Sequence, residues 1–506
     1  MGFRISYLWS APAVNPINRK ARTIPVLNPI NNYGRVFFFS WFGFLLAFWS
    51  WYAFPPLLHE VIAKDLKLTQ IQVSNSNIIA LCATLLVRLV AGPCCDRFGP
   101  RRTFAGCLLL GAIPTWLAGT AYNVSQLYAL RFFIGILGGS FVPCQVWTTG
   151  FYDKNIVGTA NALTAGLGNA GGGITYFVMP AVYNSLVGDG LTPHVAWRVT
   201  FIVPGILITS VAFALLLLCD DTPTGKWSER AQANLRLQPP LIVDIPGQVN
   251  EKTKSSSNSG TSTPAAVNDE EKKLDQARPT TSPQLGSTHP LNETIQPPSL
   301  SQTSHILLSP QTLVLASCYF CTFGAELSLN SILGTYYLKT FRPSPTPETA
   351  SNWAAMFGLM NILFRPLGGA ISDVLYSKLH KNIWAKKALL HTYNLLTGTF
   401  LVVIGTTDPH SLTTLVCLIG VALAFFLEGG NGVNFSLVPH VYPRANGVVS
   451  GVTGASGNLG GIVFAGVFRC VGEDMRKGIW IVGVVILGVN AVVCWVRPVP
   501  KGNFGG

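Results

Sequence analysis

Charge is what this chain has little of. Only 11% of its 506 residues are Asp, Glu, Lys or Arg, against about a quarter in an ordinary soluble domain. Hydrophobic residues make up 49%. A chain of this length could form several soluble domains, but none would bury so much apolar surface with so few charges to keep it in water. Other absences narrow the function. No Gly-x-x-x-x-Gly-Lys-Ser/Thr run occurs, so nothing points to ATP as an energy source. Most cysteines sit inside apolar runs, and the CxxC pair Cys318 and Cys321 has no His/Cys cluster beside it. That argues against a metal or redox centre, and no cofactor is expected. No nucleophile–base constellation appears, so an enzyme is not expected. Residues 1–30 mix polar and apolar residues without a compact apolar core, so no cleavable signal is expected either.

What the chain does have is apolar runs of membrane-spanning length. About 20 helical residues cross the hydrocarbon core at roughly 1.5 Å each. Six runs lie near 35–57, 72–94, 102–121, 125–148, 156–183 and 195–219. Six more lie near 311–339, 350–376, 385–406, 410–437, 444–469 and 476–497. The 50 glycines suit closely packed membrane helices. Residues 222–308 are a different polymer, rich in Ser, Thr, Pro, Asn and Gln. Such a segment buries too little to offset its ordering entropy, so disorder is expected there. The expected fold is an all-α membrane protein of twelve transmembrane helices in two pseudo-symmetric six-helix bundles. The expected division is an N-terminal segment 1–34, a bundle 35–219, a largely disordered loop 220–310, a bundle 311–497 and a tail 498–506.

The few charges orient these runs. Arg4, Arg19, Lys20, Arg22 and Arg35 precede or open the first. Arg97, Arg101 and Arg102 follow the second, and Lys378, Lys381, Lys386 and Lys387 follow the eighth. The turns 122–125 and 406–411 carry almost none. Positive charge collects on the cytosolic side, so both termini and the central loop are expected there. Arg469, Arg476 and Lys477 run against the rule without reversing it. The net charge of +13 then reflects turns facing anionic lipid, not a nucleic-acid partner. Ser255–Thr263, Thr281 and Ser282 offer hydroxyls to a kinase or other regulatory partner, although a plain solvated linker explains them as well. Asn123-Val-Ser125 is a formal glycosylation sequon close to the membrane.

Charge inside the spans is costly and needs a reason. Arg88 stands eight residues before Asp96 in the second run, and Arg365 eight before Asp373 in the eighth. Each Arg therefore lies roughly 12 Å deeper than its Asp, at matching depth in the two halves. A lone Arg would be expected to pair with a buried acid or to snorkel. A symmetric pair facing one cavity instead suits a small flat anion, which a guanidinium fork meets edge-on. A second repeat supports this. Gly168-Asn169-x-Gly171-Gly172 lies in the fifth run and Gly457-Asn458-x-Gly460-Gly461 in the eleventh. Their glycines imply close helix crossing, and each asparagine amide can donate to an anion or an Arg.

These residues resemble a known family. The stretch 92–102, with Asp96, Arg97 and Arg101, looks like the cytosolic loop motif of the major facilitator superfamily, and 131–139 like its fourth-span motif. The two Gly-Asn-x-Gly-Gly elements resemble the signatures of the nitrate/nitrite porter family, and 18–29, 220–230 and 440–447 resemble its fungal members. The resemblance covers nearly all of the chain except the loop. It implies that Arg88, Arg365, Asn169, Asn458 and Tyr319 bind substrate, and that Phe141 and Phe323 sandwich the flat anion, with ordinary packing a competing account of the rings. It also implies nitrate and nitrite as substrates, proton symport by alternating access, a plasma-membrane location and a monomeric transport unit. Asp96 and Asp373 are expected to latch a gate through Arg residues or helix ends. Glu326 and Glu428 are acids within apolar runs and candidates for proton coupling, with structural pairing or a watery vestibule as alternatives. His440 lies near a span edge, where a structural role is expected. The rival functions are a carrier selective for nitrite or another small anion, and a nitrate sensor signalling through the central loop.

Overall fold

Capping residues, prolines and one left-handed glycine cut the apolar runs into helices. Asn31 caps the first helix, accepting from the Tyr33 amide at 3.0 Å. Thr69 and Gln72 form a reciprocal capping box on the second. Gly99, at φ +93°, ends the second helix, and Pro100 starts the third at a position that needs no N–H. Ser309 with Pro310, and Asp474, open later helices in the same manner. Asn123 of the sequon is likewise a cap, its side chain accepting from the Gln126 amide at 2.9 Å.

The computed structural model describes residues 4–230, 232, 298–341, 345–407, 411–472 and 474–501. Eleven described helices are long and apolar enough to cross a membrane. In chain order they are α1 Asn32–Leu57, α2 Gln70–Phe98, α3 Pro100–Thr120, α4 Val124–Phe151, α6 Pro193–Leu218, α7 Pro310–Thr340, α8 Asn352–Lys378, α9 Ile383–Thr406, α10 Leu412–Val441, α11 Pro443–Val471 and α12 Met475–Val493. The twelfth is α5, Val157–Gly188, 32 residues long. Its Gly, Asn and Thr content explains why length and hydropathy together do not select it. Among the described residues there are isolated β-bridges but no strand.

The two halves meet along four long helices. α2 runs against α11 and α5 against α8, so each pairs a helix of one half with a helix of the other. Within the halves, α1 packs on α5 and α7 on α11. Backbone touches backbone at these crossings: a Cβ on Gly447 would strike the Gly92 carbonyl, and one on Gly369 the Gly158 carbonyl. With an even number of crossings, both chain ends fall on one face, called here the terminal face.

Several expectations about that face change. The N-terminal segment is docked, with Ala21 bonded through backbone to Phe151 and Asp153 at 2.9 Å and Asn15 donating to Asp153 at 2.8 Å. Burial works against the Asp153 charge, yet the Asn15 and Asn155 bonds hold its carboxyl below the usual range. Lys386 and Lys387 are not turn residues facing lipid: both are buried. Lys387 donates to the carbonyls of Cys494 and Val496, capping the end of α12. The loop expected to be disordered has structure at its two ends. Trp227 opens a short turn of helix packed against Gly99, and Leu300–Leu307 is an α-helix with its own capping box. Apolar Trp227 and Ile306, both buried, supply the burial that the rest of the segment's composition lacks. Residues 233–297, with the candidate phosphorylation sites, lie outside the described residues.

Candidate functional site

Arg88 and Arg365 meet in the middle of the molecule, both essentially without solvent exposure. The Gly135–Ser140 stretch of α4 winds as a 3-10 helix, whose poorer internal bonds leave carbonyls available to side-chain donors. Arg88 uses one: its Nε donates to the Gly138 carbonyl at 2.9 Å, and its Nη1 to the Gly454 carbonyl of α11 at 2.8 Å. One guanidinium thus bridges the two halves. Arg365 donates from Nη2 to the Tyr319 hydroxyl at 2.8 Å, while its Nε and Nη1 have no hydrogen-bond partner. Neither arginine forms an ion pair with a described residue, and each lies in the other's Coulombic field.

Aromatic rings hold this pair of cations. Tyr319 stacks on Phe323 at 5.0 Å and on Phe141 at 6.2 Å, both nearly parallel. The Arg88 guanidinium sits 4.8 Å from the Phe141 ring centre and 5.5 Å from that of Phe323. The Arg365 guanidinium sits 5.6 and 5.9 Å from the same two. Ring faces attract cations and repel anions. Phe141 and Phe323 therefore serve first as a platform for the guanidiniums, where the sequence suggested walls for an anion.

The repeated Gly-Asn elements seat this platform. A Cβ on Gly457 would come 2.7 Å from the Tyr319 and Phe323 rings. One on Gly168 would strike Phe44, which packs on Phe141 at 5.5 Å. Gly171 and Gly460 lie under the carbonyls of Leu45 and Phe320, and Gly172 and Gly461 under the side chains of Tyr52 and Leu327. The asparagines differ. Asn458 donates at 3.1 Å to the Gly454 carbonyl that also takes Arg88. Asn169 is buried with neither side-chain polar atom partnered.

Towards the terminal face, each buried carboxylate caps a helix of the opposite half. Asp96 accepts from the amides of Gly447 and Val448 at the start of α11, at 2.8 and 3.0 Å. Asp373 accepts from the Thr159 amide and hydroxyl at the start of α5, at 2.6 and 2.8 Å. Exposed N–H groups and the helix dipole favour an anion at both places. Asp373 also pairs with Lys386 at 2.8 Å. The other two members of the loop motif lie elsewhere. Arg97 points outward over Phe98, and Arg101 pairs with Asp221 at 2.6 Å, tying α3 to the end of α6. Neither reaches the opposite half, because α2 presents Asp96, not Arg97, inward.

Glu326 and Glu428 are both buried in the C-terminal half. Glu326 accepts from Asn361 and Asn431, each at 2.7 Å, and neither oxygen of Glu428 has a partner. His440 is buried against Tyr376. Phe44, Phe435, Asn361 and Asn431 were not singled out from sequence. Phe435 packs edge-on to Phe141 and Tyr319 at 4.8 and 5.0 Å. A readable signal existed for the asparagines: each is an uncharged polar residue in an apolar run, three or four positions from an intramembrane charge.

An all-helical, two-half membrane protein with a central cationic site between the halves is the architecture of a secondary carrier. Residues 40–465 match the Major Facilitator Superfamily, and the chain belongs to it. It is a multi-pass membrane transporter and not an enzyme. Elsinochrome transporter 1 of Elsinoe fawcettii is 40% identical over 515 residues, covering 98% of this chain and 99% of the relative. High affinity nitrate transporter 2.5 of Arabidopsis thaliana is 28% identical over 477 residues, covering 94% and 81%. Nitrate transporter 2.2 of Chlamydomonas reinhardtii is 30% identical over 446 residues, covering 88% and 74%. The crystal structure of FucP in the outward conformation shares the fold, with a TM-score of 0.57 at 14% identity over 90% of this chain and 97% of that one.

Proposed function

We propose that this transporter imports nitrate, and nitrite with it, by proton symport and alternating access across the plasma membrane. One observation carries the reading. Two buried guanidiniums from opposite halves share one aromatic platform with no carboxylate paired to either, and two donors of Arg365 are unpartnered. A buried charge without a partner is expensive, and a small planar oxyanion bonded edge-on offsets that cost. The relatives named as nitrate transporters support the same cargo. Importing one anion against 100 mV costs about 2.3 kcal/mol; one proton cancels that charge, and a second makes the import electrogenic and driven by the potential. Both termini and the central loop are taken to face the cytosol, with the single chain as transport unit. The two aspartate caps act as the latch that closes the terminal face while the far face is open.

The relative named for elsinochrome favours a second reading, a carrier for another cargo with the same scaffold. Uptake in a heterologous cell separates the two. Saturable nitrate uptake with inward current, weakened in both Arg88→Lys and Arg365→Lys, is expected. No saturable nitrate or nitrite uptake by the wild type would discard the anion reading. A sensor role through the central loop predicts a nitrate response that survives loss of flux, and deleting the loop with uptake and signalling read together tests it.

A further inference from the structure

The intramembrane acids lie on one side of an otherwise repeated frame. Glu326 stands seven residues after Tyr319 in α7, as Trp51 stands seven after Phe44 in α1. Asn361 stands four before Arg365, as Thr84 stands four before Arg88. In the N-terminal half the pair is neutral: Trp51 Nε1 donates to the Thr84 hydroxyl at 3.0 Å. The C-terminal half has a carboxyl and two amides at the corresponding place, so the fold itself does not require an acid there.

The geometry of those groups is specific. Thr322 donates to the Asn431 carbonyl oxygen at 2.6 Å, which turns the Asn431 amide nitrogen onto Glu326. Asn361 donates to the other Glu326 oxygen. Two N–H donors, one per oxygen, suit an ionised carboxylate, which only accepts. Glu428, fully buried with no partner on either oxygen, is suited to the neutral acid. Arg365 lies in the Coulombic field of both. Tyr52 of α1 and Tyr319 of α7 also face Glu326, and Tyr393 of α9 packs on Gly429 beside Glu428. Of the charged side chains of α11 and α12, Arg469, Arg476 and Lys477 stand at the helix ends away from the terminal face, and Arg444 stands at the terminal-face end of α11.

We propose that Glu326 is the proton-carrying residue and that it competes with the substrate anion for the charge of Arg365. An anion seated on the open Arg365 donors withdraws that charge from Glu326, and the carboxylate then takes a proton from water. Glu428 stays neutral and positions Glu326 as the group that titrates. Release of the anion returns Arg365 to Glu326 and expels the proton. This rests on the anion-symport reading above and supplies one of the protons that reading needs.

Nitrate binding to the purified full-length protein tests it, measured over about pH 5 to 8. The dissociation constant of the wild type should rise with pH, by at most about tenfold per unit between the Glu326 pKa of the free protein and that of the nitrate-bound protein, as one-proton linkage demands. In weak buffer, added nitrate should draw protons from solution. Glu326→Gln should bind with a flat pH profile and no proton uptake. Glu428→Gln should keep the wild-type slope. A flat profile in a wild type that binds nitrate, or a wild-type slope in Glu326→Gln, would overturn the proposal while leaving the anion site standing. No nitrate binding by the wild type would instead overturn the underlying reading. Should Glu326→Gln fail to fold, the wild-type slope and proton uptake decide alone.

Discussion

At the scale of single residues, the site turns on which donors are already used. Arg88 has two bonds to carbonyls, whereas Arg365 has one bond, to a hydroxyl. Lys keeps the charge but loses the fork, and a hydrogen bond to a charged group is worth about 1.5–3 kcal/mol. Arg365→Lys should therefore weaken nitrate binding by roughly ten- to a hundredfold in equilibrium titration. Arg88→Lys also loses the bridge to Gly454 and should lower stability as well, which a melting curve reads. Gly457→Ala tests the platform. Its methyl would stand 2.7 Å from the Tyr319 and Phe323 rings, so Tyr319 and with it Arg365 must move. Binding should fall severalfold or more while the protein still folds. The arginines and glycines were legible in the sequence because they repeat at matched positions. Phe44 and Phe435 were not, since one aromatic in an aromatic-rich span resembles any other until packing selects it.

At the scale of helices, the two aspartate caps are equivalent in place and unequal in chemistry. Asp96 accepts from two backbone amides and lies in the field of Arg230, whereas Asp373 meets an amide, a hydroxyl and buried Lys386. Losing a cap costs about 1 kcal/mol. Breaking a buried pair and stranding its partner costs about 3–5 kcal/mol. Asp373→Asn should therefore open the terminal face more than Asp96→Asn, read as faster labelling of cysteines placed behind the latch. On the opposite face another junction ties the turn between α1 and α2 to the start of α6, within the N-terminal half. Burial opposes the Asp65 charge, but bonds from His194, Arg198 and Trp197 together hold its carboxyl at about 2. Because that value lies below the unfolded one, its stabilisation is complete above the unfolded pKa and fades as pH falls towards about 2. Asp65→Asn should lower stability by about 1 kcal/mol at neutral pH, since the group is partly exposed. The difference from wild type should shrink in acid.

At the scale of the whole molecule, Arg88 on α2 bonds α11, and each aspartate caps a helix of the other half. A ligand held by both arginines would add a further tie between the halves. Nitrate at about a hundred times its dissociation constant should then stabilise the protein by about 2.7 kcal/mol. The melting temperature should rise with nitrate in the wild type and rise much less in Arg365→Lys at the same concentration, where ten- to hundredfold weaker binding leaves only about 0.4–1.4 kcal/mol.

The sequence by itself determined that the chain spans a membrane many times, that it has two related halves, and that each carries one deep arginine. Those features are written in local hydropathy and in repeated spacing, which need no partner to be read. Even α5, rich in Gly and Asn, was legible as a span among the apolar runs of membrane-crossing length. Only the tertiary structure decided that Arg88 is satisfied by two carbonyls while Arg365 has two open donors. The same holds for Asp96 capping α11 in place of pairing with Arg97 or Arg101, and for the burial of Lys386 and Lys387. For Arg88, Asp96 and Lys387 the partners are backbone amides or carbonyls, which nearly every residue carries alike, so only packing determines which of them a charged side chain meets. Lys386 and Arg365 meet side chains of other helices, Asp373 and Tyr319, and packing alone brings those together.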